Sequence, residues 1–155
     1  MNKQTAINLK QTLKSSGLQL LQARMDAAEY AMQQAQEAAN NEAKSSVGDK
    51  YETARSMAQM DKDMNMRQLE AARQQYSQLQ NIRVDVCQDS FVPGAVARIG
   101  EAYYFLSVGL GNVDVEGKKV WYLSAHAPFS RALLNKKAGD TILVQGKSST
   151  IEVVF

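Results

Sequence analysis

Residues 18–39, LQLLQARMDAAEYAMQQAQEAA, place Leu18, Leu21, Met25, Ala28, Met32, Ala35 and Ala39 at spacings of 3, 4, 3, 4, 3 and 4. That is a heptad stripe, and it predicts a coiled-coil contact along one face of a helix. The stripe turns small toward its C-terminal end, so the partner helix is expected to approach closely there. Ser45-Ser46-Val47-Gly48 then breaks the pattern, and Gly48 suits the left-handed position that ends a helix. A second helix is expected from about Asp49 to about Gln80. Its apolar positions are Ala54, Met57, Met60, Met64, Leu69, Ala72, Tyr76 and Leu79, with a phase shift between Met64 and Leu69. The methionines read as core packing. Two long helices joined by a short break fold back as an antiparallel hairpin. The arm from Leu18 to Ser46 would measure about 40 Å at 1.5 Å per residue. One continuous helix in an intermolecular coiled coil is the rival, and the Ser-Ser-Val-Gly break argues against it.

The remainder of the chain has a different composition. Both prolines, Pro93 and Pro128, and eight of the eleven aromatic residues lie beyond residue 90. The first 81 residues are rich in helix formers, and the rest in Val, Ile, Tyr and Phe with frequent turns. The expected fold class is therefore α+β. A coiled-coil hairpin over residues 1–81, with its tip near 45–52, precedes a small mostly-β domain over 82–155 that would fold alone. Strands are expected at Ile82–Cys87, Ala95–Ile99, Ala102–Val108, Val120–Ala125, Thr141–Gln145 and Thr150–Phe155. Pro128 is expected to open a short helix, PFSRALLNKK, because proline is tolerated in a first turn.

Composition excludes several classes of function. With 18 basic and 16 acidic residues the net charge is +2, too balanced for binding nucleic acid mainly by bulk charge. One cysteine excludes an internal disulfide framework, and one cysteine with one histidine argues against structural zinc. The N-terminus lacks the apolar core of a secretory signal, and no stretch approaches a membrane span. The expectation is a cytoplasmic protein with no membrane and no small-molecule substrate. No glycine-rich phosphate loop precedes a helix, so nucleotide binding has no support.

Individual residues mostly have structural readings. Cys87 reads as a buried small apolar residue in a strand, and His126 as a satisfied residue at a strand-to-helix junction. Tyr103, Tyr104, Phe105, Trp121 and Tyr122 lie in strands and supply core, with Tyr103 and Tyr104 pointing opposite ways. Arg131, Lys136 and Lys137 read as a solvated helix end.

The tip, VGDKYETA over residues 47–54, carries more information. Asp49 and Glu52 are three apart at a helix start, so they lie on nearby parts of one turn. Asp-x-x-Glu is a variant of the capping box, with Asp49 as N-cap and Glu52 reaching back. Capping leaves a carboxylate free acceptor capacity. The pair could also contribute to holding Mg²⁺, which takes oxygen ligands and keeps several waters. Two carboxylates make an incomplete site, so the remaining ligands would come from another molecule.

Gly48-Asp49-Lys50-Tyr51-Glu52-Thr53-Ala54 resembles the Gly-Asp-x-x-Glu-Asn-Ala tip of the bacterial transcript-cleavage factors GreA and GreB. A second segment is similar to that family's Ser-Pro-x-x-Arg-Ala-Leu-x-Gly-Lys-x-x-Gly-Asp: Ser124 to Asp140, most clearly SRALLNKKAGD from Ser130. The resemblance spans most of the chain, in the right order. It implies an antiparallel coiled coil followed by an FKBP-like domain that docks on RNA polymerase. The coiled coil would enter the secondary channel and reach the backtracked RNA 3′ end. It implies that Asp49 and Glu52 act as the metal-coordinating and catalytic pair in trans, helping hold an Mg²⁺ shared with the polymerase. The factor would have no complete catalytic site of its own. The chain departs from the pattern at Thr53, for Asn; at Arg55-Ser56; at Ala127, between Ser124 and Pro128; and at Asn135, for Gly. Two other functions fit the same architecture: a channel binder that inhibits polymerase without stimulating cleavage, and an FKBP-like isomerase or chaperone. The last would need Tyr103, Tyr104 and Trp121 to line one groove.

Overall fold

The computed structural model describes residues 1–44 and 48–155, with side chains outside 42–51. The chain is α+β. Two long helices, α1 (Lys3–Lys44) and α2 (Gly48–Asn81), pair and are followed by a mostly-β half with one short helix. The Asn2 carboxamide oxygen accepts from the Thr5 N–H at 2.7 Å and caps the start of α1. The far end of α2 is capped from outside the helix. Lys14 Nζ donates to the Gln80 carbonyl at 2.8 Å and to the Ile82 carbonyl at 2.7 Å, satisfying groups a helix end leaves open.

The chain divides into two compact units, Gln19–Tyr76 and Met1–Leu18 with Ser77–Phe155. This division does not follow the composition break near Asn81. The first turns of α1 and the last turn of α2 belong with the strands.

In the unit Gln19–Tyr76, the expected α1 stripe is the seam. Leu21 and Ala28 are buried, and Met25, Met32, Ala35 and Ala39 are half-buried along the same line; Leu18, also half-buried, belongs to the other unit. The α2 seam differs from the expected one. It runs Ala54, Ala58, Lys62, Asn65, Leu69, Ala72 and Tyr76, each buried or half-buried. Met57, Met60 and Met64 stand outside it, 62%, 70% and 52% exposed. The α1 stripe itself is small there, and Ala35 and Ala39 line a groove of about 250 Å³ with Ala58 and Lys62, so small and polar positions of α2 face α1. Phase read from hydrophobicity alone therefore chose the wrong face over two turns. Across the helices, Lys62 Nζ donates to the Gln36 side-chain oxygen at 3.2 Å, and Arg73 pairs with Glu29 at 3.6 Å.

In the other unit a five-stranded sheet has the order β3-β4-β2-β1-β7. The strands are β1 (Val96–Ile99), β2 (Ala102–Leu106), β3 (Gly111–Val115), β4 (Lys118–Leu123) and β7 (Val153–Val154). All neighbours are antiparallel except β2 and β4. A separate hairpin joins β5 (Thr141–Val144) to β6 (Lys147–Thr150). Glu116-Gly117 and Gln145-Gly146, all at positive φ, form the tight turns of the β3–β4 and β5–β6 hairpins, as two-residue connections demand.

Both faces of the sheet are apolar. One carries Ala97, Leu106 and the half-buried Tyr104 and Leu123, packed with Phe91, Leu133, Ile142 and Ile151. The other carries Phe105, Val120 and Tyr122, all fully or almost fully buried. Phe105 and Tyr122 meet edge to face at 5.6 Å. The start of α1 lies against this second face. The Tyr122 hydroxyl donates to the Leu13 carbonyl at 2.6 Å, and burial pushes its pKa up.

Three expectations fail here. Thr150–Phe155 is not one strand: Thr150 ends β6, β7 is only Val153–Val154, and between them Ile151 N–H donates to the Asp140 carbonyl and Glu152 N–H to the Arg98 carbonyl. Ile82–Cys87 is not a strand. The carbonyls of Ile82 and Val86 accept from Lys14 and Lys10, and those bonds replace a ladder. The short edge strand β3, GNVDV, was not anticipated, because its two valines sit between polar residues.

Candidate functional site

The helical backbone of α2 begins at Gly48, so Asp49 and Glu52 both lie within its first two turns. Gly48 thus opens α2 rather than ending α1, and Asp49 stands inside the helix rather than at the N-cap. The Ser45-Ser46-Val47 break and the Asp49 side chain lie outside the described residues. Glu52 is described and exposed. Positions three apart on a helix place their Cβ atoms about 5–6 Å from each other. Negative charge in a first turn is favoured by the helix dipole. Among the described residues, no group of three His, Cys, Asp or Glu side chains is placed to hold a metal ion. Two carboxylates offer fewer oxygens than the six Mg²⁺ takes, so such a pair serves an ion that another molecule also ligates.

The second motif has a structural explanation. α3 (Pro128–Leu133) has proline at its start and buries Ser130 and Leu133 against the sheet. It stops where Leu134 turns extended and Asn135 takes φ +63°. The resembled family has glycine at that position, and Asn is among the few other residues that enter the left-handed region readily. Asn135 N–H donates to the Phe91 carbonyl, and Phe91 N–H to the Lys136 carbonyl. Asp140 closes the following turn by accepting from Lys137 N–H at 2.8 Å. This segment therefore holds the β half together. Asn135→Gly should leave the denaturation midpoint unchanged or raise it. Asn135→Val should cost about 1–2 kcal/mol by the left-handed penalty, measured by urea unfolding.

Tyr104 and Trp121 are cross-strand partners, whereas Tyr103 pairs with Val120 on the other face of the sheet. Tyr104 packs on Phe129 at 4.8 Å. The three aromatics that an isomerase groove would need do not converge.

Cys87 is half-buried outside any strand, its thiol 3.8 Å from the Lys3 carbonyl. Sequence reasoning missed its neighbour Lys10, a fully buried lysine whose Nζ donates to the Val86 carbonyl at 2.7 Å. Burial lowers the Lys10 pKa, against the opposing pull of Cys87 and Asp85. Its spacing from Ala6 and Leu13 was the available signal. His126 is exposed in the turn before α3. No helix among the described residues is long and apolar enough to cross a membrane.

Comparison with family models, curated proteins and solved structures gives no match to this chain.

Proposed function

We propose that the chain is a transcription elongation factor of the GreA/GreB kind. It would bind RNA polymerase, enter the secondary channel with its helical hairpin, and stimulate cleavage of backtracked RNA. The observation that carries the proposal is the start of α2: Asp49 and Glu52 stand within its first two turns, where the helical pair begins its return. A two-helix arm is narrow, and from Gln19 to Lys44 it runs about 39 Å at 1.5 Å per residue. Such an arm can carry an incomplete metal site to an ion held elsewhere. Asp49 and Glu52 would help hold an Mg²⁺ that the polymerase also ligates, and such an ion would supply charge stabilisation for two-metal phosphodiester hydrolysis. The chain itself would not be a nuclease, because it offers two carboxylates and the polymerase supplies the rest. The β half would provide the docking surface. A channel binder that only inhibits is the second reading, favoured by Thr53 and Arg55-Ser56 next to the pair.

Asp49→Asn combined with Glu52→Gln separates these readings and tests the metal role. The substitutions keep hydrogen-bonding capacity at the helix start. The lost attraction to the helix dipole is only about 0.3–1 kcal/mol per charge, so the melting temperature should barely move. Shortening of RNA in a stalled, backtracked complex should collapse while polymerase affinity stays close to that of the unaltered protein. Unaltered shortening at limiting Mg²⁺ would overturn the metal role. Slowed extension without shortening, by the unaltered protein, would favour the inhibitor.

A further inference from the structure

We infer that one face of the arm is a docking surface for the same arm of a second copy, the two lying antiparallel about a two-fold axis. The two sides of the helical pair differ. One side carries the polar cross-helix contacts, Arg73 to Glu29 and Lys62 to Gln36. The other carries a second line of apolar residues beside each seam. On α2 these are Met57, Met60, Met64 and Ala71, at spacings of 3, 4 and 7; on α1 they are Ala27, Ala31 and Ala38, at spacings of 4 and 7. The α1 line sits about 110° and the α2 line about 125° from its own seam at 100° per residue, on the same side of the pair. A helix with two such stripes has a surface for more than one partner helix.

The occupant follows from shape. Toward Tyr76 the face holds a groove of about 510 Å³ floored by Ala27, Ala28, Ala71 and Ala72. Toward Gly48 it presents three exposed methionines, the most adaptable of apolar side chains. A two-fold axis crossing α2 between Asn65 and Met66 lays Met60 of each copy on Ala71 of the other. The knob of one copy then fills the groove of its mate, and the contact is self-complementary. Parallel pairing would set groove against groove and leave both empty. Arg24 and Asp61, charges of opposite sign that border this face, approach each other only in the antiparallel arrangement. From Met57 to Gln75 the face is about 27 Å long and two helices wide, about 18 Å. Two copies would cover about 1,000 Å², the lower limit for a specific interface. The expected dimer is weak, with a dissociation constant on the order of 10–100 μM.

The full chain suffices to detect this contact. Sedimentation from about 5 to about 500 μM should pass from monomer to dimer across the expected constant. Met60→Glu or Ala71→Glu, both at exposed helix positions, should keep helicity while raising the constant at least about tenfold. In a Cys87→Ser background, chains carrying Met60→Cys mixed with chains carrying Ala71→Cys should form the mixed disulfide on mild oxidation. A protein that stays monomeric throughout would overturn the inference. So would a dimer untouched by Met60→Glu, or one that links Met60→Cys to Ala38→Cys, as parallel pairing requires.

Discussion

A fragment holding residues 82–155 alone should melt without a cooperative transition. A chain in which residues 19–76 are replaced by about six glycine and serine residues should keep one. The compact unit around the sheet includes Met1–Leu18 and Ser77–Phe155, so cutting at Ile82 removes part of its core. Leu13 and Leu79 are fully buried, and Tyr122 and Leu110 lie beside Gly17 of α1. Exposing Tyr122 and Leu110 costs about 1.5–3 kcal/mol each. That is a large part of the roughly 5–15 kcal/mol that holds a domain folded. The ties from Lys10 and Lys14 to the segment after α2 go as well. The bypass restores all of these. Its linker must span neighbouring helices about 8–10 Å apart, and about six flexible residues reach that far. Thermal unfolding followed by circular dichroism and by tyrosine fluorescence decides it. Coincident sigmoidal transitions in the 82–155 fragment, close in midpoint to those of the bypass chain, would show that the strands need no help from the helices. The bypass chain also bears on docking. If the β half carries the affinity for polymerase, the bypass should bind and leave transcript length unchanged.

The α1 seam was legible because its heptad spacing is regular and its larger residues fall on it. The α2 seam was legible at Ala54 and again from Leu69 onward. Nearer the tip, the positions facing α1 are Ala54, Ala58, Lys62 and Asn65, while the most apolar residues, the methionines, face away. A pattern reader assumes that hydrophobicity marks the seam. Here small and polar residues face the opposite helix instead. Most of the strands were legible from β-branched and aromatic runs. The segment 82–87 looked like another strand through its alternating Ile82, Val84 and Val86. Its backbone partners are lysine side chains some 70 residues earlier in the chain, and no local pattern shows that. Of the candidate site, the sequence showed two acids at a helix start. It showed a helix opened by Pro128 in the second matching segment, but not that the polar bonds of that segment are spent on closing the core. The likeness in that half is therefore a likeness of scaffold, and the functional argument rests on Asp49 and Glu52.

Gly17→Val should destabilise the protein by about 2–3 kcal/mol, near the top of the range for overpacking. Gly17 is a buried glycine inside α1, where glycine normally costs up to about 1 kcal/mol relative to alanine. The close approach of three side chains explains its presence. A Cβ at this position would stand 2.7 Å from Leu79 Cδ2, 3.1 Å from Tyr122 Cε2 and 3.5 Å from Leu110 Cδ1. Alanine gains helix propensity and meets the Leu79 methyl, so Gly17→Ala should change stability by less than about 1 kcal/mol. Valine adds two further carbons with nowhere to go. The double change Gly17→Val, Leu79→Ala tests the cause. Leu79→Ala alone should cost about 2–5 kcal/mol through the cavity it leaves. Together the two should cost at least about 1 kcal/mol less than their sum, because the valine enters the space the leucine vacates. Urea unfolding of the four proteins gives the coupling. Strict additivity would mean that α1 does not pack against Leu79 at this point, and the fragment prediction would lose its basis too.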